Sequence, residues 1–240
     1  MVKKSRFFLV QTGICLLLSI MYQFSNGNPQ DGLDFFIGLY GNQSGYFDYL
    51  PSLMWATPLI TTYVFCGMDL SEELKRRKYM TLPRFTYRRN FIRRRFQETF
   101  FNALLIGMGS VIAMVSCGLT AMEIWGRISE IQITVFFWAI VLYLGNLLFM
   151  TFFQTALFLY DWDSRMIMGL LVLFLVPAFC MEKVKPQITW FCPGIWNSVV
   201  FSSMVQQGGF DPGVIIGMEL LFCVGMYCFM VKSAGNILEW

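Results

Sequence analysis

Six apolar stretches read as bilayer-crossing helices, and nothing constrains the fold of this chain more. They cover residues 7–24, 49–68, 99–119, 131–160, 166–181 and 212–231. A helix needs about 20 apolar residues to span the hydrocarbon core. In that medium a single segment satisfies its own backbone polar groups only as a helix. Composition points the same way. Of 240 residues, 56% are hydrophobic and 14% charged, against roughly 25% charged in soluble domains. A soluble fold of this length has no place for so much apolar surface, and a disordered chain is excluded for the same reason. The expected fold is all-α: a polytopic membrane protein of six transmembrane helices, forming a single domain over residues 1–240.

The stretch 7–24 follows Lys3, Lys4 and Arg6, a pattern that also opens signal peptides. Phe24-Ser25-Asn26-Gly27-Asn28-Pro29 is a poor cleavage site, so this stretch is read as a retained first span. Pro51 and Pro58 in the second stretch are tolerable in a membrane helix, because neighbours re-satisfy the freed carbonyls, and they are expected to kink it. Residues 131–160 are long enough for one tilted helix whose end leaves the bilayer.

Basic residues mark the cytoplasmic side. Lys3, Lys4 and Arg6 precede the first span. Lys75, Arg76, Arg77, Lys78, Arg84, Arg88, Arg89, Arg93, Arg94 and Arg95 lie between spans two and three. Arg165 lies between four and five, and Lys232 follows six. Only Arg127, Lys183 and Lys185 fall on the opposite side. Both termini and the basic loop are therefore expected in the cytoplasm. The outer segment before span six contains Ile188-Thr189-Trp190-Phe191-Cys192-Pro193-Gly194-Ile195-Trp196-Asn197, too apolar for a free aqueous loop. Trp190 and Trp196 suit a membrane interface, and short re-entrant or interfacial helices are expected there.

Absences narrow the chemistry. The chain has no histidine, so His-ligated zinc or haem and Ser-His-Asp hydrolysis lose their usual groups. No lysine follows a glycine, so there is no P-loop. No paired carboxylates, Cys-His or Ser-Lys set stands out. No catalytic residue, cofactor site or metal site is expected, and nucleic acid is not an expected partner. The seven cysteines are scattered and mostly apolar in context; whether Cys180 and Cys192 pair is left open.

The cytoplasmic loop 69–98 has internal order. Ser71 is placed to cap a short helix with Glu72 and Glu73 in its first turn and the basic cluster in its last, matching the helix dipole at both ends. Pro83 breaks the run. A second helix is expected near Thr86 or Tyr87, feeding straight into span three, with Phe85, Phe91, Ile92 and Phe96 among its arginines. Attraction to anionic lipid, about 1 kcal/mol per basic residue at the surface, explains the charge. It does not explain the paired acids, the proline break or the aromatic spacing. Those point to a docking element for a cytoplasmic protein.

In these residues the chain resembles the permease subunits of type-2 ABC exporters. Glu72 or Glu73 matches an acidic position of that family. Residues 79–83 fall where its coupling helix and following turn lie. Thr86, Arg88, Phe91 and Arg95 resemble the stretch entering span three, with Arg95 where the family usually has lysine. Pro193-Gly194-Ile195-Trp196 resembles the proline-aromatic segment before the last span. The resemblance implies a coupling helix between helices 2 and 3 and a separate cytoplasmic P-loop ATPase carrying ATP and Mg. It implies docking through Glu72, Glu73, Tyr79, Met80, Leu82, Pro83, Arg84, Arg88 and Arg95. It also implies a second permease copy or a sister permease, and a multi-pass location in a bacterial plasma membrane among its lipids. A path rich in Met and Phe fits an amphipathic peptide, antibiotic or lipid-like cargo.

Polar groups inside spans are the other candidates. Glu219 lies about two turns into span six, where a carboxylate costs a few kcal/mol unless paired, protonated or wet. It reads either as a substrate or proton site or as a hydrogen-bonded group between helices. The proton-site reading is the basis of an alternative function, a proton-coupled secondary transporter; a non-transporting scaffold is a third. Asn102 and Asn146 join Glu219 as candidates for a translocation path. With Gln154 they also fit interhelical hydrogen bonding. Asp161-Trp162-Asp163 reads as a helix stop and cap. Gly213 with Gly217, and Gly109 with Ala113, read as close helix packing within the subunit or at a dimer seam.

Overall fold

A computed structural model describes residues 2–26, 49–78, 85–120, 130–160, 163–180, 190–205 and 207–233. Every long element among them is an α-helix: α1 (Val2–Asn26), α2 (Tyr49–Lys78), α3 (Phe85–Thr120), α4 (Glu130–Leu159), α5 (Ser164–Cys180) and α6 (Pro212–Lys232). Two 3₁₀ turns, Pro193–Ile195 and Val199–Phe201, lie between α5 and α6. Three helices hold stretches long and apolar enough to cross a bilayer: Arg89–Ala113 in α3, Ile133–Leu159 in α4 and Pro212–Lys232 in α6. Shorter apolar stretches lie in α1 (Phe7–Leu18) and α5 (Ser164–Leu175).

The helices alternate in direction. Early α1 meets late α2, where the rings of Phe7 and Phe65 stack at 5.0 Å. Early α3 meets late α4 and late α6, with Phe96 edge-on to Phe152 and Tyr227. Late α4 meets early α5, where Gln154 Nε2 lies 3.9 Å from Met168 Sδ. α4 is the hub and packs on α2, α3, α5 and α6, while α1 packs chiefly on α3. A large core runs through α2, α4 and α5 and includes Leu59, Tyr63, Leu142, Leu147 and Leu171. A smaller one at the arginine-rich end joins Phe91, Ile92 and Phe96 to Leu159, Met230 and Val231.

Polar side chains tie the helices. Gln154 of α4 donates to the Tyr63 carbonyl of α2 at 2.8 Å. The hydroxyls of Thr99 and Thr155 meet at 3.0 Å between α3 and α4. Gln11 is buried in α1. Its Nε2 donates to the Pro58 carbonyl at 3.0 Å and to Ser110 Oγ at 3.2 Å, while its Oε1 accepts from Thr61 Oγ1 at 2.7 Å. One side chain thus joins α1, α2 and α3. Interhelical hydrogen bonds in membranes average about 0.6 kcal/mol and reach about 1.7. Gln11→Leu should therefore cost about 1–3 kcal/mol, measured as unfolding of the detergent-solubilised protein, while Leu9→Ala on the exposed face of α1 should change little.

One expectation changes and two are narrowed. Ser71 does not start a helix, because α2 runs unbroken from Tyr49 to Lys78. Nothing between Gly67 and Lys78 interrupts it, and the amides that a cap would satisfy already sit in a continuing helix. Trp196 is buried in the bundle rather than presented to its surroundings, with its ring 6.1 Å from that of Phe149. Gly217 faces open space and Gly213 is exposed on α6, so this pair makes no seam within the subunit. By contrast Gly109 sits directly against Phe8 and Thr12 of α1, and Ala113 is buried. Other expectations hold. α3 runs without interruption from Phe85 into the apolar stretch, and residues 130–159 form a single helix. Asp163 accepts from the Arg165 amide at 3.3 Å at the start of α5.

Candidate functional site

The segment between α5 and α6 folds into the bundle. Its backbone satisfies itself where helix and sheet ladders are missing. Ile195 N donates to Cys192 O, Ser198 N to Ile195 O, Ser202 N to Val199 O, and Ser203 N to Phe210 O at 2.8 Å. Irregular backbone at membrane depth is tolerable only when so paired and covered by protein. Ile195, Trp196, Asn197, Ser198 and Val199 are all buried, whereas Phe191 at the rim is 84% exposed. Gly194 permits the approach. A Cβ there would overlap the Phe174 carbonyl of α5, main chain against side chain, and nothing nearby can give way. Cys192 is a free thiol, and the side chain of Cys180 lies outside the described residues.

This segment meets the buried carboxylate of α6. Asn146, halfway along α4, donates from Nδ2 to the Pro193 carbonyl at 2.7 Å and to Glu219 Oε1 at 2.9 Å. Asn146 is 0% and Glu219 1% exposed. Three elements therefore converge on one amide: α4, α6 and the first 3₁₀ turn. Asp211 sets the start of α6, accepting from Val214 N at 3.1 Å with Pro212 in the first turn. Glu219 follows two turns in. Gly145 makes room for the carboxyl, since a Cβ at that position would lie 2.7 Å from Glu219 Oε2 and 2.5 Å from Ile216 Cδ1. Oε2 itself has no hydrogen-bond partner among the described residues. No lysine or arginine among them pairs with Glu219; Arg94 and Arg95 both grip Glu98 instead.

Beside the carboxyl lies an apolar groove of about 220 Å3, open on one side and walled by α3, α4 and α6. The arrangement can hold a proton on Glu219 or receive a cationic or hydrogen-bond-donating group there. Both follow from a carboxyl in an apolar setting with one oxygen unused.

The structure brings Asn146 and Glu219 together and keeps Asn102 apart. Asn102 lines a different small cleft, with Phe7, Phe65, Cys66 and Asp69. Among the docking candidates, Glu72 is exposed near the end of α2. Arg95 is 3% exposed, with Nη1 2.9 Å from Glu98 Oε2 and its guanidinium 5.5 Å from the Phe91 ring centre. Tyr79, Met80, Leu82, Pro83 and Arg84 lie outside the described residues, as do the side chains of Glu73 and Arg88. Sequence reasoning missed Gly145, whose only signal is a glycine facing an acidic helix position. It also missed the Pro193 carbonyl, which carries no side-chain signal at all. Among the described residues no group of His, Cys, Asp and Glu is arranged to hold a metal. No protein-family model, no curated protein and no solved structure matches the chain.

Proposed function

We propose that the chain is the membrane-spanning subunit of an ATP-driven exporter, with all six helices crossing the bilayer and both termini in the cytoplasm of a bacterial cell. The observation that supports this most is the basic end of the bundle. α2 runs on past its apolar part to Lys78, and α3 starts at Phe85, well before its own. Residues 69–98 are thus two charged helical arms joined by a short connection. A separate ATPase pressing on that connection would act on α2 and α3 as levers. Since α3 packs on α1, α4 and α6, a tilt there reaches most of the bundle. Two such subunits, or this one and a sister permease, would enclose the path for an amphipathic peptide, antibiotic or lipid-like molecule. The segment folded back between α5 and α6 would close its outer side.

The test is purification in mild detergent from the native host. A P-loop ATPase should accompany the wild-type protein, and Glu72→Lys with Glu73→Lys should reduce its recovery at least about tenfold while membrane insertion is unchanged. Recovery of intact wild-type protein without an ATPase sinks the exporter reading. Association that survives the charge reversal removes these residues from the docking set.

A second reading, proton-coupled secondary transport, is favoured by one observation: Glu219 is buried among helices, and its hydrogen-bond partner there is an amide. Under that reading Glu219→Gln abolishes transport, whereas ATP-driven export survives it.

A further inference from the structure

We propose that the groove between α3, α4 and α6 is a binding site for a single-chain amphipathic primary amine, its ammonium on Glu219 and its hydrocarbon along the aromatic wall. The polar anchor is Glu219, which lines the groove, is buried, and has an Oε2 with no donor among the described residues. The rest of the wall is supplied by Phe100 of α3, Leu148 and Phe152 of α4, and Val224 and Tyr227 of α6. A ligand here must be mostly hydrocarbon, with one donating end.

Charge decides which end. The carboxyl has one neutral amide partner and no paired cation among the described residues. A carboxylate in such a setting gains most from a group that brings both hydrogen-bond donors and a positive charge. An alcohol brings only the donor, and a fatty acid brings a second carboxyl. Size decides the tail. At about 220 Å3 the groove is below the usual range for drug-sized ligands, about 300–1,000 Å3. It suits one alkyl chain rather than a two-chain lipid body. Glu219 lies eight residues into α6, and the groove continues to Tyr227, so the ammonium sits at one end with the chain running along α6.

The site does not depend on the exporter reading, because binding is measured without an ATPase. The purified protein is placed in phosphatidylcholine nanodiscs and titrated with decylamine, 1-decanol and decanoate. Decylamine should bind saturably and at least about tenfold more tightly than decanol, the scale of one charge-assisted hydrogen bond. Decanoate should not compete. Glu219→Gln should erase the preference for the amine and leave decanol unchanged. Equal affinity for amine and alcohol, or an unchanged preference in Glu219→Gln, overturns the proposal. Should that variant fail to fold, Val224→Trp decides. Val224 is 61% exposed at the groove and makes no contact with the carboxyl chemistry. A tryptophan there should block decylamine at least tenfold, and wild-type binding would sink the site. Adding phosphatidylethanolamine to the nanodiscs tests the single-chain claim. Decylamine should stay bound, and its displacement by the two-chain lipid would overturn that claim.

Discussion

Gly194→Ala should unfold the end of the bundle that holds the two 3₁₀ turns more effectively than any other single-methyl change in the described chain. The added Cβ overlaps the Phe174 carbonyl of α5; the Cβ is fixed to main chain held by a turn, and the carbonyl is main chain held in a helix. Overpacking a well-filled site costs about 1–3 kcal/mol even where side chains can shift. Here the response has to be movement of the whole segment. The expected loss is about 3 kcal/mol or more, measured as unfolding in detergent or by trapping in bilayers. Separation of the segment from α5 should also free buried Trp196, visible as a red shift in tryptophan emission. A variant as stable as wild type would mean that residues 190–211 do not sit against α5. Gly217→Ala, facing open space on α6, is the matching control and should be neutral in the isolated subunit.

Asn146→Leu should be nearly as damaging, and for a different reason. It removes the donor shared by the Pro193 carbonyl and Glu219 Oε1. Leaving a buried acceptor unsatisfied costs about 1–3 kcal/mol, more when it is charged, so about 3 kcal/mol is expected for the two together. The diagnostic is the double variant. Asn146→Leu with Glu219→Leu removes the stranded carboxyl as well, and replacing both partners by apolar groups is close to neutral. The double variant should therefore recover about 1–2 kcal/mol relative to Asn146→Leu alone. Additive losses would mean that the two groups do not interact.

The two predictions separate what was legible in the residue order from what was not. The helices were legible because each is a local property. An uninterrupted apolar run such as 131–160 leaves few options in a bilayer, and α4 is one helix. The start of α3 at Phe85, beside the Thr86 or Tyr87 expected, was legible in the same way. Ser71 misled because a capping residue works only where the chain has left the helix, and α2 never leaves it. The burial of Trp196 was not legible, because a tryptophan suits both an exposed rim and a packed core.

The convergence on Glu219 was only half legible. A carboxylate within an apolar run is conspicuous on its own, and Asn146 stood out likewise. Their meeting was not visible, because 73 residues separate them and neither names the other. Gly145 and the Pro193 carbonyl carry no chemical label. Gln11 is a similar case, with partners on two other helices.

By itself the sequence determined that this chain is helical and suited to a bilayer, and that its positive charge gathers at one loop. Those follow from hydropathy and charge, which act residue by residue over a turn or two. The tertiary structure decided which buried polar groups meet and how the apolar segment before α6 is covered. It also decided that a carboxyl oxygen is left free beside an apolar groove. Such facts depend on how helices distant in sequence pack, and packing is set by shape at contacts that no local pattern encodes.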